Sequence, residues 1–168
     1  EVVGPPAGPP VRRVRHLMPK LEVSIEINAP SAVVFKSIAD PEHFKQWMPG
    51  LVSWQPLTEG GLRVGAKSRE QVKEMGMTIE TTTEVTALEQ DRSMSLRTTS
   101  KVVDSTASYR LEEEEGGGTR IYVELNARPK GLARLGGKFV GGALERRTAE
   151  NLEELRKYAE SLAKQGGG

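Results

Sequence analysis

The strand 66–74 is the one place in this sequence where burial of a charge is plausible, since either of its faces would bring a polar group inward, and Glu70 is the leading candidate. The segment AKSREQVKE (66–74) alternates, with Ser68, Glu70 and Val72 on one face, and we expect Glu70 to point inward beside Ala66 and Val72. A carboxyl group removed from water favours its neutral form, which is the property that a general acid or base needs. The alternative is an edge strand with solvent on both faces, which would make Glu70 an ordinary surface charge.

Threonines stand where a core would normally carry larger side chains. The segment MTIETTTEVT (77–86) alternates like a strand but places Thr81 and Thr83 on its apolar-leaning face, and Thr98 holds the corresponding position in 94–102. Protein interiors are normally close-packed, so small residues on several strands indicate a cavity with hydroxyls in its wall. Such a wall suits a mostly apolar ligand with a few polar atoms. A one-residue register error at a bulge would instead turn these threonines to solvent.

Other kinds of chemistry lack the residues they need. The chain has no cysteine and only two histidines, His16 and His43, so thiolate chemistry, Ser-His-Asp catalysis and histidine metal sites are not expected. The glycine clusters do not follow the strand-to-helix pattern of a phosphate loop. We predict no metal and no cofactor, and we assign no catalytic residue.

The chain divides into an arm, one domain and a short tail. Residues 1–20 are rich in proline and glycine and carry Arg12, Arg13, Arg15 and Lys20 against Glu1 alone, which predicts a disordered basic arm that is either a solvated tail or a contact for anionic lipid. Residues 21–163 form the predicted domain and 164–168 a flexible tail. The net charge of +1 gives no reason to expect nucleic acid, and without an apolar run of membrane-spanning length the expected location is cytoplasmic.

The sequence predicts an α+β domain. A strand (21–27) precedes two short helices, and turn signals at 60–61, 75–77, 89–91 and 116–118 divide 51–128 into a strand meander. Residues 131–163 show the periodicity of one long helix. The predicted order is therefore one strand, two helices, six strands and a terminal helix that covers a curved antiparallel sheet with an internal cavity.

Four glycines interrupt the start of that terminal helix, at positions 136, 137, 141 and 142. Each costs roughly 1 kcal/mol of helix stability relative to alanine. Either the glycines loosen a helix that gates the cavity, or the stretch is a loop and the regular helix begins near 143.

The segment IEINAPSAVVFKSIADPEHFKQWMP (25–49) resembles the START-like, or SRPBCC, superfamily with its helix-grip fold. Val64-Gly65, Glu84-Val85 and the Asn151-Leu152 to Leu155 spacing fit the same pattern, and the polyketide cyclase/dehydrase and coenzyme-Q-binding branch is the most similar. The resemblance covers about 21–163. It implies a hydrophobic tunnel between the sheet and the terminal helix.

Three hypotheses follow from the resemblance. The first is a module that binds or transports a hydrophobic small molecule or lipid; the second is a cyclase or dehydratase acting on an aromatic polyketide-like substrate; the third is an interaction module that uses the groove for a partner. Trp47 lies near the tunnel opening that the resemblance implies, with a core anchor as the alternative, and Tyr109 and Phe139 are further candidates for wall or mouth. No motif of this sequence matches a catalytic position of the family, so the resemblance assigns no catalytic residue. The sequence does not determine whether the protein catalyses a reaction or what its oligomeric state is.

Overall fold

The computed structural model of the protein describes residues 20–74 and 76–167, without the side chains of residues 135–141. The elements follow the chain in this order: β1 (Lys20–Ile27), α1 (Ser31–Ala39), α2 (Pro41–Trp47), β2 (Leu51–Pro56), β3 (Lys67–Glu74), β4 (Met77–Glu89), β5 (Ser93–Ser100), β6 (Val103–Glu113), β7 (Thr119–Pro129), a 3-10 helix (Gly131–Gly136) and α3 (Gly137–Gly166). This order confirms the predicted α+β helix-grip architecture. The predicted arm lies outside the described residues, apart from Lys20, which begins β1.

All seven strands belong to one antiparallel sheet in the order β1-β7-β6-β5-β4-β3-β2. Consecutive strands from β2 to β7 are neighbours, as expected for a meander with short turns, and β1 pairs with β7 from Lys20↔Asn126 to Ile27↔Thr119. Strand β2 pairs with β3 and takes the edge of the sheet. The alternative of an edge strand at 66–74 is therefore wrong, because residues 51–56 cover that edge.

The two short helices begin and end where local chemistry requires. Asp40 caps α2: its side chain accepts a hydrogen bond from the Glu42 backbone N–H at 2.9 Å, and Pro41 occupies the first turn. The same Asp40 ends α1 in an extended conformation, as the residue before a proline favours. Helix α1 buries Val34, Phe35 and Ile38.

The long C-terminal segment differs from the predicted continuous helix. Residues 131–136 form a 3-10 helix, and the α-helical backbone runs from Gly137 to Gly166. The break falls at the Gly136-Gly137 pair, where two residues without side chains give the helix its weakest propensity. A regular helix beginning only near 143 is therefore wrong, and the C-terminal end continues three residues past the predicted 163.

The core lies between α1, the second half of α3 and the adjoining strands. Its most buried members include Phe35, Ile27, Ile121 and Leu155, and Leu152, Leu155 and Ala159 present one face of α3 to it. Thr119 is fully buried because its hydroxyl donates to the Ala29 carbonyl at 2.7 Å. Among the helices of the described chain, none is both long and apolar enough to cross a bilayer.

Candidate functional site

The sheet face turned toward α3, which we call the inner face, has a packed half and an open half. In the packed half Met94, Leu111, Ile121 and Val123 are buried. In the open half Thr81, Thr83, Thr98, Ser105 and Ala107 are half-buried. The register Thr83↔Thr98↔Ser105 aligns small side chains across three strands. The predicted face of the threonines is therefore the one that leads into the core.

A bulge lies close to the threonines but does not reverse them. The β4–β5 register shifts between Val85 and Ala87, so that beyond the bulge Leu88 packs on the core while Ala87 is exposed. Simple alternation from Thr81, Thr83 and Val85 would place Ala87 on the inner face, but the bulge inserts one extra residue and turns it outward. Thr81 and Thr83 precede the bulge and keep the parity of the buried Val85.

Glu70 is buried on the inner face within a set of hydroxyl groups. Only 7% of the residue is exposed. Thr81 Oγ1 and Thr83 Oγ1 donate to its Oε2 at 3.1 and 3.0 Å, and Ser68 Oγ donates to its Oε1. Thr98 Oγ1 lies 3.0 Å from Thr83 Oγ1. We call these five residues, Ser68, Glu70, Thr81, Thr83 and Thr98, the Glu70 cluster. All of them except Ser68 are among the seven predicted site residues. Their role in ligand binding stays a prediction.

The hydroxyl protons in the Glu70 cluster have a defined direction while Glu70 is ionised. Each hydroxyl has one proton, so Thr83, which donates to the carboxylate, must accept its second bond from Thr98. Thr98 then donates its only proton to Thr83, and the lone pairs of Thr98 Oγ1 remain unused at the end of this chain of hydroxyls, on the open half of the sheet. While Glu70 is ionised, the cluster therefore offers a hydrogen-bond acceptor to whatever lies against Thr98.

The charge of Glu70 has no ionic counterpart in the described part of the chain. The ion pairs there involve other carboxylates, and the partners of Glu70 are all neutral hydroxyls. Buried charges in proteins are normally paired or strongly hydrogen-bonded. While Glu70 is ionised, the cluster presents negative potential to the open half, which favours a hydrogen-bond donor or a cation there and disfavours an anion.

Tyr109 lies on the inner face but apart from the Glu70 cluster. It pairs with Met94 on one side and Val123 on the other and packs against the core. Met94 is four residues from Thr98 along β5, or about 13 Å at strand spacing. Desolvation raises the pKa of the Tyr109 phenol above its ordinary value of 10.0, so Tyr109 is a neutral residue of the packed half. Its predicted role as a wall or mouth residue stays a prediction.

Tyr109→Phe is expected to make the protein less sensitive to alkaline pH. Because the folded state holds the phenol proton more tightly than the unfolded chain, this contribution to stability is complete below the ordinary pKa and is lost as pH rises above it. Urea unfolding at about pH 8 and about pH 10.5 measures the loss. The variant should lose less stability between the two pH values than the parent protein; equal losses would contradict a buried phenol.

Trp47 belongs to another surface. Its Nε1 donates to the Ser37 carbonyl at 2.7 Å, and its ring meets Phe44 edge-on at 5.3 Å. It packs against the core and also lines an open groove of about 910 Å³ between α2 and α3, with Met48, Arg146 and Glu150 among the other walls. Trp47 is thus an anchor for α2, and its predicted place at the mouth stays a prediction. The side chain of Phe139 lies outside the described residues.

Two features of the site were not predicted. Ser68 was placed on the face of Glu70 without a role, and the structure makes it a donor to that carboxylate; the i, i+2 spacing in one strand was the available signal. His43, for which the sequence predicts no contact, is half-buried on α2, and its Nδ1 lies 2.7 Å from the hydroxyl of Tyr158 on α3. Burial, and then the negative charge of Asp40, raise the pKa of Tyr158, so this contact fastens α2 to α3 with a neutral phenol.

The family of the chain is established by a family model that matches most of its length. The model of the family described as polyketide cyclase / dehydrase and lipid transport matches residues 18–160. The chain belongs to this family. The match confirms the START-like superfamily that residues 25–49 indicated. No curated protein matches the chain in sequence.

Several solved structures share the fold of this family member, although their sequences differ greatly from its own. A Zhui aromatase/cyclase from Streptomyces sp. R1128 superposes with a TM-score of 0.76 at 18% identity, covering 90% of this chain and 99% of the other. A conserved protein from Geobacillus kaustophilus gives 0.74 at 15%, covering 84% and 95%. A START superfamily protein from Mycobacterium smegmatis gives 0.67 at 17%, covering 87% and 97%. At these identities the similarity establishes the fold alone.

The inner face can serve binding or acid–base chemistry from its own residues. Within the described residues, no three histidine, cysteine, aspartate or glutamate side chains are grouped as metal ligands. The groups available to a bound molecule on the open half are a buried carboxylate, its hydroxyls and small apolar side chains. These can orient one polar group of a molecule whose remainder is apolar.

Proposed function

We propose that the protein binds, and carries, a hydrophobic small molecule or lipid between the open half of the inner face and α3. The observation on which this depends is the Glu70 cluster: a 7% exposed carboxylate with three hydroxyl donors, beside half-buried small residues. A structural core seldom contains an unpaired carboxylate, whereas an apolar binding site needs a few placed polar groups. A cytoplasmic location belongs to this proposal as a prediction.

The direction of the hydroxyl chain narrows the class of ligand. Thr98 offers lone pairs while Glu70 is ionised. A neutral hydroxyl or phenol can donate to them, and a protonated amine can do so in a charge-assisted bond, which is stronger than a neutral one. The expected ligand is therefore apolar over most of its surface and carries a hydroxyl, phenol or protonated amine at the end that meets Thr98. A ligand whose only polar group is a carboxylate would meet the negative potential of Glu70 and bind poorly.

Organic extraction and mass spectrometry of the protein purified from its native host test the binding itself. A retained hydrophobic molecule with a donor group is the expected result. A thermal-shift series tests the class, because a ligand that binds only the folded state raises the melting temperature. Four probes of equal chain length serve: a long-chain alcohol, the corresponding amine, the methyl ether and the fatty acid.

The alcohol and the amine should raise the melting temperature more than the ether, and the fatty acid should raise it least. Equal shifts for all four would mean that the Glu70 cluster does not orient the ligand. If nothing copurifies and no probe shifts the melting temperature at saturation, the proposed function is wrong.

A second candidate function is catalysis of the cyclase or dehydratase type, and the burial of Glu70 favours it, because a desolvated carboxylate is a candidate general acid or base. The two functions differ in their response to Glu70→Gln. An enzyme would lose most of its turnover and keep its substrate affinity, whereas a carrier would lose affinity for donor-bearing ligands and have no turnover to lose.

A further inference from the structure

The two ends of the sheet carry opposite charge. One end, which we call the basic end, consists of the turns 73–77 and 101–104 and the segment 128–134, with five basic and two acidic side chains, or +3. The other, the acidic end, consists of the turns 89–92 and 112–118, with six acidic side chains and one basic, or −5. Glu112 and Glu114 of this end pair with Arg110 and Arg120 of the adjoining strands, which leaves −3. The near-neutral net charge of the chain conceals this separation.

The strand register places these segments at opposite ends. Glu74↔Met77 closes one hairpin, and Thr81↔Ser100 and Val103↔Pro129 bring the next turn and the end of β7 to the same side. Glu89↔Ser93 and Glu113↔Thr119 close the hairpins on the opposite side. The separation therefore runs along the strand axis.

Both acidic residues of the basic end are already neutralised. Glu74 pairs with Arg147 of α3, and Asp104 pairs with Lys130 at 2.5 Å. The remaining cations of this end, Lys73, Lys101, Arg128 and Arg134, are exposed, and the ion pairs formed among the described residues involve none of them. Their charge is therefore available to a partner outside the molecule.

Large apolar side chains are exposed among these cations. Met77 is 62% exposed, Val102 39% and Leu132 86%. Each belongs to a different segment of the basic end, and the two later segments touch through the Lys130 N–H bond to the Val102 carbonyl at 2.8 Å. Apolar side chains interspersed with lysine and arginine are typical of surfaces that lie in a membrane interface.

We propose that the basic end docks on an anionic lipid bilayer. Met77, Val102 and Leu132 would enter the headgroup region, while the cations face the lipid phosphates. The acidic end would be repelled by the same surface, so the charge separation fixes the orientation. The docked end is also the one at which α3 begins, and Glu70 lies four residues from its β3–β4 turn. The docking proposal does not depend on the identity of any ligand.

Site-specific labelling tests insertion directly, because the chain has no cysteine. Leu132→Cys in the full chain, labelled with an environment-sensitive fluorophore, should show a blue-shifted emission with vesicles of phosphatidylcholine and phosphatidylserine, and little change with phosphatidylcholine alone. Val64→Cys is the matched control: it is 57% exposed and lies in the loop at the opposite end of β3. A response of equal size at both positions, or at neither, would overturn the proposal.

Vesicle sedimentation tests the charges. A basic side chain close to an anionic bilayer contributes about fivefold in affinity, so Lys101→Gln with Arg134→Gln should weaken binding by about 25-fold. Arg63→Gln with Arg92→Gln, which changes two exposed arginines away from the basic end, should have little effect.

The basic N-terminal arm supplies the competing explanation. A full-length variant with Arg12, Arg13 and Arg15 replaced by glutamine separates the two surfaces. If this variant loses all binding to anionic vesicles and the Lys101/Arg134 variant loses none, the membrane contact belongs to the arm and the proposed docking surface is wrong. Retained binding in the arm variant, together with the 25-fold loss in the other, is the result that supports the basic end.

Discussion

Leu155→Ala is expected to lower the free energy of unfolding by about 2–5 kcal/mol. Leu155 is fully buried in the cluster that joins α3 to Ile121 and Phe35. Truncation removes apolar contacts and leaves a cavity that neighbours on three elements can refill only in part. Urea unfolding, with the m-value checked for constancy, measures the loss.

The same substitution at Leu132 is the matched control. Leu132 is 86% exposed, so Leu132→Ala should change stability by less than about 0.5 kcal/mol. If Leu155→Ala lowered the free energy of unfolding as little as Leu132→Ala does, the second half of α3 would not form the core contact described above.

Thr98→Leu examines the other half of the inner face. Added methyl groups in a filled core cost about 1–3 kcal/mol, whereas on the open half they should cost less and reduce ligand uptake. A loss of stability as large as that of Leu155→Ala, without any effect on ligand uptake, would show that the space beside Thr98 is already occupied by the protein. The predicted cavity would then be absent.

Local sequence signals were sufficient for most of the fold. Pro41 and Asp40 mark the start of α2, the glycines at 60–61, 76 and 116–118 mark turns, and alternation identifies the inner-face residues Glu70, Thr81, Thr83 and Thr98. These signals act over a few residues, so they can be read without knowing what packs where. The fold class and the superfamily, which depend on the order of such elements, were predicted correctly.

What sequence reasoning missed depends on contacts between distant segments. Ala87 and Leu88 exchange faces because of a bulge in β4, which no residue type marks. The edge alternative for β3 failed because β2, fifteen or so residues earlier, pairs with it. The hydroxyls of the Glu70 cluster come from β3, β4 and β5, and their mutual bonds require a register that alternation alone does not fix.

The Glu70 cluster has a consequence for how members of one family could differ. An apolar space between a sheet and a helix accepts many hydrophobic molecules, and discrimination among them depends on the few polar groups in its wall. In the binding site that we propose for this chain, those groups would be the Glu70 cluster, a directed chain of hydroxyls that ends at a carboxylate. Changing Thr98, the last hydroxyl of this chain of hydroxyls, should therefore change the selectivity among hydrophobic ligands without changing the fold.

Thr98→Val is the substitution that isolates that effect. Valine keeps the shape of threonine and removes the lone pairs, while Thr83 can still donate to Glu70. A net hydrogen bond contributes about 0.5–1.5 kcal/mol, so affinity for the long-chain alcohol should fall by roughly 2–13-fold, and affinity for its methyl ether should not change. Glu70→Gln removes the negative charge behind the same chain, which attracts a protonated amine and not a neutral alcohol. It should therefore weaken binding of the amine more than binding of the alcohol.

Thr99→Val is the control for Thr98→Val, since Thr99 is the next residue of β5 and is exposed on the opposite face. It should leave the affinities for alcohol and ether unchanged. If Thr98→Val and Thr99→Val behave alike while the alcohol still binds, the ligand lies elsewhere, and the groove at Trp47 becomes the site to test. If Thr98→Val weakens binding of the alcohol and of the ether equally, the ligand makes no donor-specific hydrogen bond to Thr98. The inferred preference for donor-bearing ligands then fails, although the proposed binding on the inner face does not.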